Sequence, residues 1–212
     1  MATVVSLLLA ILVGYLLGSV PVATLVSRRR GVDIFSAGTG LAGAANVFRN
    51  VGRFHGSVVF IGDAAKGILT VFAAHRLGVE GTMVLLPAAA ALAGHWRSVF
   101  NSFRGGDGLS TLLGITLAAF PLLALPIIFV GLTAAGIAVY TGHHASLWGG
   151  GAGYGLMAAV APFSQEKTAL TLGIVMLALM VLAHGVMGYR RRRWDNGPLD
   201  VGEEIQFESP GP

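Results

Sequence analysis

This chain has few charges and no cysteine. Only 11% of its 212 residues are charged, whereas about a quarter are charged in a typical soluble domain. The absence of cysteine excludes disulfide bonds, thiolate metal sites and cysteine nucleophiles. The N-terminus lacks the basic start and cleavage site of a secretory signal, so residues 4–26 are interpreted as a retained span. Hydrophobic residues make up 54% of the chain, which predicts an all-α bundle of membrane-spanning helices.

Apolar runs of the length needed to cross a bilayer, about 20 residues, recur along the chain. The full-length candidates are residues 4–26, 54–76, 82–100, 121–140, 146–163 and 168–188. Residues 109–140 would form a helix about 48 Å long at ~1.5 Å per residue, too long for a hydrocarbon core of ~30 Å. Pro121 and Pro126 also interrupt it. We therefore expect a short element over 109–120 followed by a full span.

The positions of the basic residues predict the sidedness of the bundle. Arg28–Arg30 follow the first span and Arg190–Arg193 follow the last, and such clusters are typically cytoplasmic. An even number of crossings must then separate them. We therefore predict about seven transmembrane helices, with the N-terminus outside and the C-terminus cytoplasmic. Residues 1–190 would form the bundle, and residues 191–212 a basic, then acidic and mobile tail.

Two glycine-rich loops that carry arginine fall on the predicted cytoplasmic side. Residues 38–49 read Gly-Thr-Gly-Leu-Ala-Gly-Ala-Ala-Asn-Val-Phe-Arg. Small residues allow backbone N–H groups to converge on an anion, and Thr39 adds a hydroxyl. If a helix begins near Gly43, Asn46 and Arg49 share one face. The loop is not a nucleotide P-loop, because no Gly-Lys-Ser/Thr follows. The alternative is that its glycines only permit close packing of helices.

The second loop, residues 94–111, reads Gly-His-Trp-Arg-Ser-Val-Phe-Asn-Ser-Phe-Arg-Gly-Gly-Asp-Gly-Leu-Ser-Thr. Ionisable groups at a membrane boundary are costly and mark functional sites. Arg104 offers a planar fork that matches phosphate oxygens, and Gly105 and Gly106 expose backbone donors beside it. His95 is either a base or phosphate donor, or a residue that caps a helix end. Asp107 would bind a substrate hydroxyl or pair with Arg104.

One pair of opposite charges is predicted inside a span. Asp63 and Lys66 are three residues apart and share a helical face. They form either a structural ion pair or a pair in which Asp63 orients Lys66 toward an anionic ligand. His143 and His144 are adjacent and face different directions, and the sequence has no spacing typical of metal ligands. It also has no nucleic-acid signature, so we expect neither a metal site nor a nucleic-acid partner.

Taken in order, these motifs resemble one family, the bacterial membrane glycerol-3-phosphate acyltransferases that use acyl-phosphate as donor. Residues 18–21, Gly-Ser-Val-Pro, are similar to the family's Gly-Ser-Ile-Pro. Residues 38–49 are similar to Gly-Ser-Gly-Asn-x-Gly-Ala-Thr-Asn-x-x-Arg, and residues 63–67 match Asp-x-x-Lys-Gly. Residues 94–108 are similar to Gly-His-x-x-Pro-x-Phe-x-x-Phe-Lys-Gly-Gly-Lys-Gly.

The resemblance implies transfer of an acyl group from acyl-phosphate to the 1-hydroxyl of glycerol 3-phosphate, giving lysophosphatidate and phosphate. It implies these two small-molecule partners, surrounding membrane lipid, no cofactor, and a multi-pass protein of the bacterial inner membrane whose active site faces the cytoplasm. The catalytic residues it implies are His95, Arg49 and Arg104. The phosphate-binding residues it implies are Gly38, Thr39, Gly40, Gly43, Asn46, Lys66, Gly105, Gly106 and His184.

Several positions depart from the family pattern. Leu41 and Met187 replace asparagines, Ala45 replaces threonine, Ser98 replaces proline, and Asp107 replaces lysine. Two alternatives follow. The first is a catalytically weak or inactive relative that binds a phospholipid precursor or supports a partner enzyme. The second is a small anion transporter, for which only Asp63 and Lys66 supply polar groups at mid-depth.

Overall fold

The structure is a computed structural model that describes residues 3–141, 144–163 and 168–195, with residues 189–195 described by their backbone alone. Within these ranges the chain is helical, as predicted. The helices are α1 Val4–Ser19, α2 Val22–Arg28, α3 Ala44–Asn50, α4 Arg53–Arg76, α5 Leu85–Trp96, α6 Leu109–Ala119, α7 Pro121–Tyr140, α8 Ala145–Val160 and α9 Thr168–Asp195. Short 3₁₀ turns cover Gly81–Val84, Val99–Asn101 and Ala161–Phe163.

Among the described residues, five helical stretches are long and apolar enough to cross a membrane. They are Val4–Arg28, Arg53–Arg76, Gly81–Asn101, Pro121–Tyr140 and Thr168–Gly188, and each coincides with a predicted span. The helix α6 has 11 residues and α8 has 16, both shorter than a full crossing. The count of seven crossings and the orientation of the termini therefore stay predictions.

The predicted break between the short element and the following span is confirmed. Phe120 leaves the helical region at φ −141° and ψ 70°, and Pro121 is the first residue of α7. Proline suits this position because the first helical residue needs no N–H partner and its φ is already fixed. The C-terminal tail was predicted to start at residue 191, and α9 continues to Asp195. Residues 196–212 lie outside the described residues.

Close packing of helix pairs accounts for many of the glycines within the helices. The most extensive pairs are α1 with α5, α4 with α6 and α7 with α8. A Cβ atom at Gly18 would collide with the backbone of Ala91 on α5, and Gly67 and Gly114 allow the same approach between α4 and α6. Without a hydrophobic drive between helices in lipid, such small residues allow dense van der Waals packing. These pairs hold the two glycine-rich loops at one end of the bundle.

Candidate active site

Asn46 organises the first glycine-rich loop. Its Nδ2 lies within 3.0–3.1 Å of the carbonyl oxygens of Ile34, Ala37 and Leu41, and its Oδ1 accepts from the Thr39 amide at 3.3 Å. The side chain is buried, so these bonds satisfy polar groups that burial would otherwise penalise. The Asn46 side chain therefore contacts the loop itself and fixes its shape.

The start of this loop is held by a turn outside the membrane-spanning segments. The Asp33 carboxylate accepts from the Ser36 hydroxyl at 2.8 Å and from the Phe35 amide at 3.1 Å. These bonds lower the pKa of the Asp33 carboxyl, the Ser36 bond most. Gly38 and Gly40 follow with φ of +51° and +59°, a region that side chains rarely adopt. Helix α3 then begins at Ala44, as expected from the sequence.

The two glycine-rich loops pair with each other through backbone hydrogen bonds. The Ala42 amide donates to the Gly105 carbonyl at 3.0 Å, and the Gly106 amide donates to the His95 carbonyl at 3.2 Å. A Cβ at Gly105 would collide with the His95 carbonyl oxygen, and a Cβ at Gly106 would collide with that of Ala42. Glycine is therefore required at these two positions of the second loop by the close approach of two backbones.

Lys66, on α4, lies beside the break between α1 and α2 in the first span. Its Nζ is 2.8 Å from Asp63 Oδ1 and donates to the carbonyls of Val20 at 2.8 Å and Gly18 at 3.3 Å. These carbonyls belong to the end of α1, where Pro21 interrupts the helix and leaves acceptors without intrahelical partners. The predicted pair of Asp63 and Lys66 is present, and the ammonium caps α1.

His95 connects Lys66 to α6 in the buried interior. Its Nδ1 is 3.3 Å from Lys66 Nζ and 3.3 Å from the Thr111 hydroxyl. Nε2 is buried and has no hydrogen-bond partner within the described part of the chain. It faces Gly106, where an added Cβ would come within 2.5 Å of it.

Most of the predicted site residues are divided between two pockets that share the paired loops as a wall, whereas Gly38, Gly40 and His184 line neither. Lys66, His95, Arg104, Gly105 and Gly106 line a pocket of only about 10 Å³, which is room for about one water. The Arg104 guanidinium lies 3.9 Å from the centre of the Phe35 ring, a cation–π contact. This side of the loops is closely packed.

The other pocket, called the polar pocket below, is about 50 Å³. Its lining includes Thr39, Gly43, Asn46, Arg49 and Asp107, together with residues at the start of α8 and in the middle of α9. It therefore contains one arginine and one carboxylate beside the first loop. Arg49 is exposed to this space.

A larger apolar cleft adjoins the polar pocket. It has a volume of about 540 Å³ and lies among α3, α4, α6, α7 and α8. The two spaces share Ala45, Asp107, Leu109, Ala145 and Ser146 as lining residues. Its lining also includes Leu113, Ile127 and Tyr154, and the Tyr154 hydroxyl is 2.9 Å from that of Thr116.

His184 lies near the polar pocket without lining it. Its ring stacks on Trp96 at 4.7 Å between centroids, and the Trp96 indole donates to the Asp107 carbonyl at 2.7 Å. His184 is thereby linked through Trp96 to the second loop. Among the described residues, no group of three or more potential ligands could hold a metal ion.

Sequence reasoning missed the cleft residues. Gly131 on α7 and Gly149, Gly150 and Gly153 on α8 line the cleft, and the interval 149–155 holds five glycines in seven residues. That density was a signal of close helix approach, but it does not identify which helix is the partner. The hydrogen bonds from Lys66 to the Gly18 and Val20 carbonyls had no local signal in the sequence.

Comparison with known proteins identifies the family. The family model described as glycerol-3-phosphate acyltransferase matches residues 8–186. The chain belongs to this family. A glycerol-3-phosphate acyltransferase of Geotalea daltonii is 35% identical over 173 residues, which cover 80% of this chain and 86% of that protein. One of Geobacter metallireducens is 43% identical over 111 residues, 52% of this chain.

Solved structures agree with that assignment. The chain is similar to PlsY, an integral membrane glycerol 3-phosphate acyltransferase, in its glycerol 3-phosphate form, with a TM-score of 0.69 and 28% identity. The alignment covers 91% of this chain and 93% of PlsY. The match to the Geobacter metallireducens relative spans 57% of its length, and that to the Geobacter sulfurreducens relative spans 64%.

Proposed function

We propose that this protein transfers an acyl group from acyl-phosphate to the 1-hydroxyl of glycerol 3-phosphate, giving lysophosphatidate and phosphate for phospholipid biosynthesis. Membership of the family supports the reaction class. The observation that carries the proposal is the continuity of the polar pocket with the apolar cleft through shared lining residues. The acyl donor and the lysophosphatidate product are both amphiphiles that join a phosphate group to one acyl chain.

The polar pocket would bind the phosphate group of such an amphiphile. Arg49 would supply charge-assisted hydrogen bonds to phosphate oxygens, and Thr39 a hydroxyl donor. Gly38, Gly40 and Asn46 would act by fixing the loop, since Asn46 bonds to the loop backbone. The acyl chain would lie in the apolar cleft, where each buried methylene contributes about 0.8 kcal/mol.

The closely packed side would position the second loop. Lys66 and His95 hold the break in α1 and the end of α5, and Gly105 and Gly106 let the loops meet. Arg104 would attract anionic substrates to the second loop. His184 would support that loop through its stacking on Trp96. Positioning of two reactants and stabilisation of phosphate charge would supply most of the rate.

The same proposal includes the arrangement in the membrane. Seven crossings with the N-terminus outside would place both loops and the basic clusters on the cytoplasmic side of a bacterial inner membrane. Residues 1–190 would form the bundle and the remaining residues a cytoplasmic tail. The reaction would need no cofactor, because acyl-phosphate is already an activated donor.

The test is a turnover assay on the full chain purified in detergent or reconstituted in vesicles. Long-chain acyl-phosphate and labelled glycerol 3-phosphate are supplied, and labelled lysophosphatidate is measured, with acyl-coenzyme A as the alternative donor. Product formed from acyl-phosphate supports the proposal. Binding of labelled glycerol 3-phosphate without turnover would instead support the catalytically inactive relative.

A further inference from the structure

Asp107 occupies the junction of the two spaces that the proposed function uses. Among the described residues it is the only carboxylate that lines the polar pocket or the apolar cleft, and it lines both. Its carboxylate lies next to Gly43, since a Cβ built on Gly43 would be in van der Waals contact with it, at 3.7 Å from Oδ1 and 3.9 Å from Oδ2. An amphiphile with its phosphate in the pocket and its chain in the cleft has its acyl carbonyl at this junction.

The backbone and side chain of Asp107 are both held in place. The Leu109 amide donates to Oδ1 at 3.1 Å, and the Trp96 indole donates to the Asp107 carbonyl at 2.7 Å. The preceding residue, Gly106, is fixed by its bond to the His95 carbonyl. An ionised carboxylate accepts through about four lone-pair sites, so the Leu109 bond leaves capacity for a substrate hydroxyl.

We propose that Asp107 is the general base of the acyl transfer, an inference that rests on the proposed function. The 1-hydroxyl oxygen of glycerol 3-phosphate forms a bond to the acyl carbonyl carbon, and its proton passes to the Asp107 carboxylate. The bond between that carbon and the phosphate oxygen breaks, and phosphate leaves with the electron pair. The proton then passes from Asp107 to water, which restores the carboxylate.

The electrostatic surroundings of Asp107 come from several elements. Arg49 on α3 lines the same pocket, as does His144 at the start of α8. The titratable groups near Asp107 on the other neighbouring elements are His95 of α5 and His184 of α9. Positive charge at Arg49 offsets the repulsion between a carboxylate and a bound phosphate, which is why both charges can serve one site.

Asp107→Asn separates catalysis from structure. Asparagine keeps the Oδ1 acceptor for the Leu109 amide and loses the base, so a purely structural Asp107 predicts activity equal to that of the parent chain. The proposal predicts that kcat falls about 10²- to 10⁴-fold, with KM changed far less. Asp107→Glu, which retains a displaced base, should recover part of kcat. Glu80→Gln removes an exposed carboxylate away from the site and is the matched control.

An Asp107→Asn protein with parent kcat overturns the inference. If that variant does not fold, Asp107→Ser, which also keeps an acceptor for the Leu109 amide, takes its place with the same predicted loss of kcat. A parent kcat in that variant is equally contrary. A parent chain that makes no lysophosphatidate contradicts the proposed function itself.

Discussion

The two sides of the paired loops differ in how their polar groups are used. On the side of α5, Lys66 and His95 contact other protein groups in a space for about one water. On the side of α8, Arg49 and Asp107 face a pocket of about 50 Å³ that adjoins the apolar cleft. One set of charges thus holds the loops, and the other faces the space in which substrates fit.

The difference shows that a charge in a motif need not touch a substrate. Lys66 has three N–H donors and four close neighbours, at 2.8–3.3 Å. Its contacts compensate the broken end of α1 and a buried carboxylate. Arg49 is also a basic residue of a family motif, but it lies near the end of α3 and lines the polar pocket. Three changes test this division.

The largest expected effect is on the closely packed side. Lys66→Met leaves the Asp63 carboxylate buried and unpaired, which should lower the free energy of unfolding by about 3–5 kcal/mol. Denaturation in mixed micelles measures this. The double variant Asp63→Asn, Lys66→Met removes the uncompensated charge and should recover part of the loss. A single variant as stable as the parent would show that Lys66 is not structural.

The second-largest effect is expected at the polar pocket. Arg49→Ala removes charged hydrogen bonds to phosphate worth about 1.5–3 kcal/mol, so kcat/KM should fall roughly 10- to 100-fold. The matched control is Arg76→Ala, at the far end of α4, where the guanidinium contacts Phe72. Equal losses in the two variants would mean that Arg49 acts only through net charge.

The smallest effect is expected in the apolar cleft. Gly136 lines the cleft, and a Cβ there meets nothing within 4 Å. Gly136→Leu should displace about two methylene groups of the acyl chain, about 1.5 kcal/mol or roughly tenfold in kcat/KM.

Gly155→Leu is the control for this change. A Cβ added at Gly155 also meets open space, but this residue lies on an exposed face of α8, so the gain in helix propensity is the same. The loss in Gly136→Leu should shrink with short-chain acyl-phosphates. A loss independent of chain length would place the acyl chain elsewhere.

Much of the fold could be predicted from composition and periodicity. Five apolar runs of membrane length, and the break before Pro121, are local features of the sequence. The predicted span 146–163 corresponds to α8 and the 3₁₀ turn Ala161–Phe163 that follows it. The helix itself has 16 residues, and hydropathy alone does not decide whether so short a helix crosses the membrane.

The site could be predicted in part. The motifs located both loops, and the spacing of Asp63 and Lys66 predicted their pair. The assignment of Lys66 and Arg49 to different sides of the loops depends on long-range contacts, above all those between Lys66 and the Gly18 and Val20 carbonyls. No spacing rule within one motif encodes such contacts. The same holds for Asp107, whose position depends on the Trp96 indole and on the bond between Gly106 and the His95 carbonyl.

The most direct test of the central claim is photo-crosslinking with an acyl-phosphate that carries a photoreactive group on its chain. Labelled residues are mapped by mass spectrometry of the reconstituted full chain, with excess unlabelled acyl-phosphate as competitor. We predict competable labels on the cleft, at Leu113, Ile127 and Gly153 among others. Labels confined to exposed outer faces, such as Leu8 and Leu12 of α1, would contradict the account.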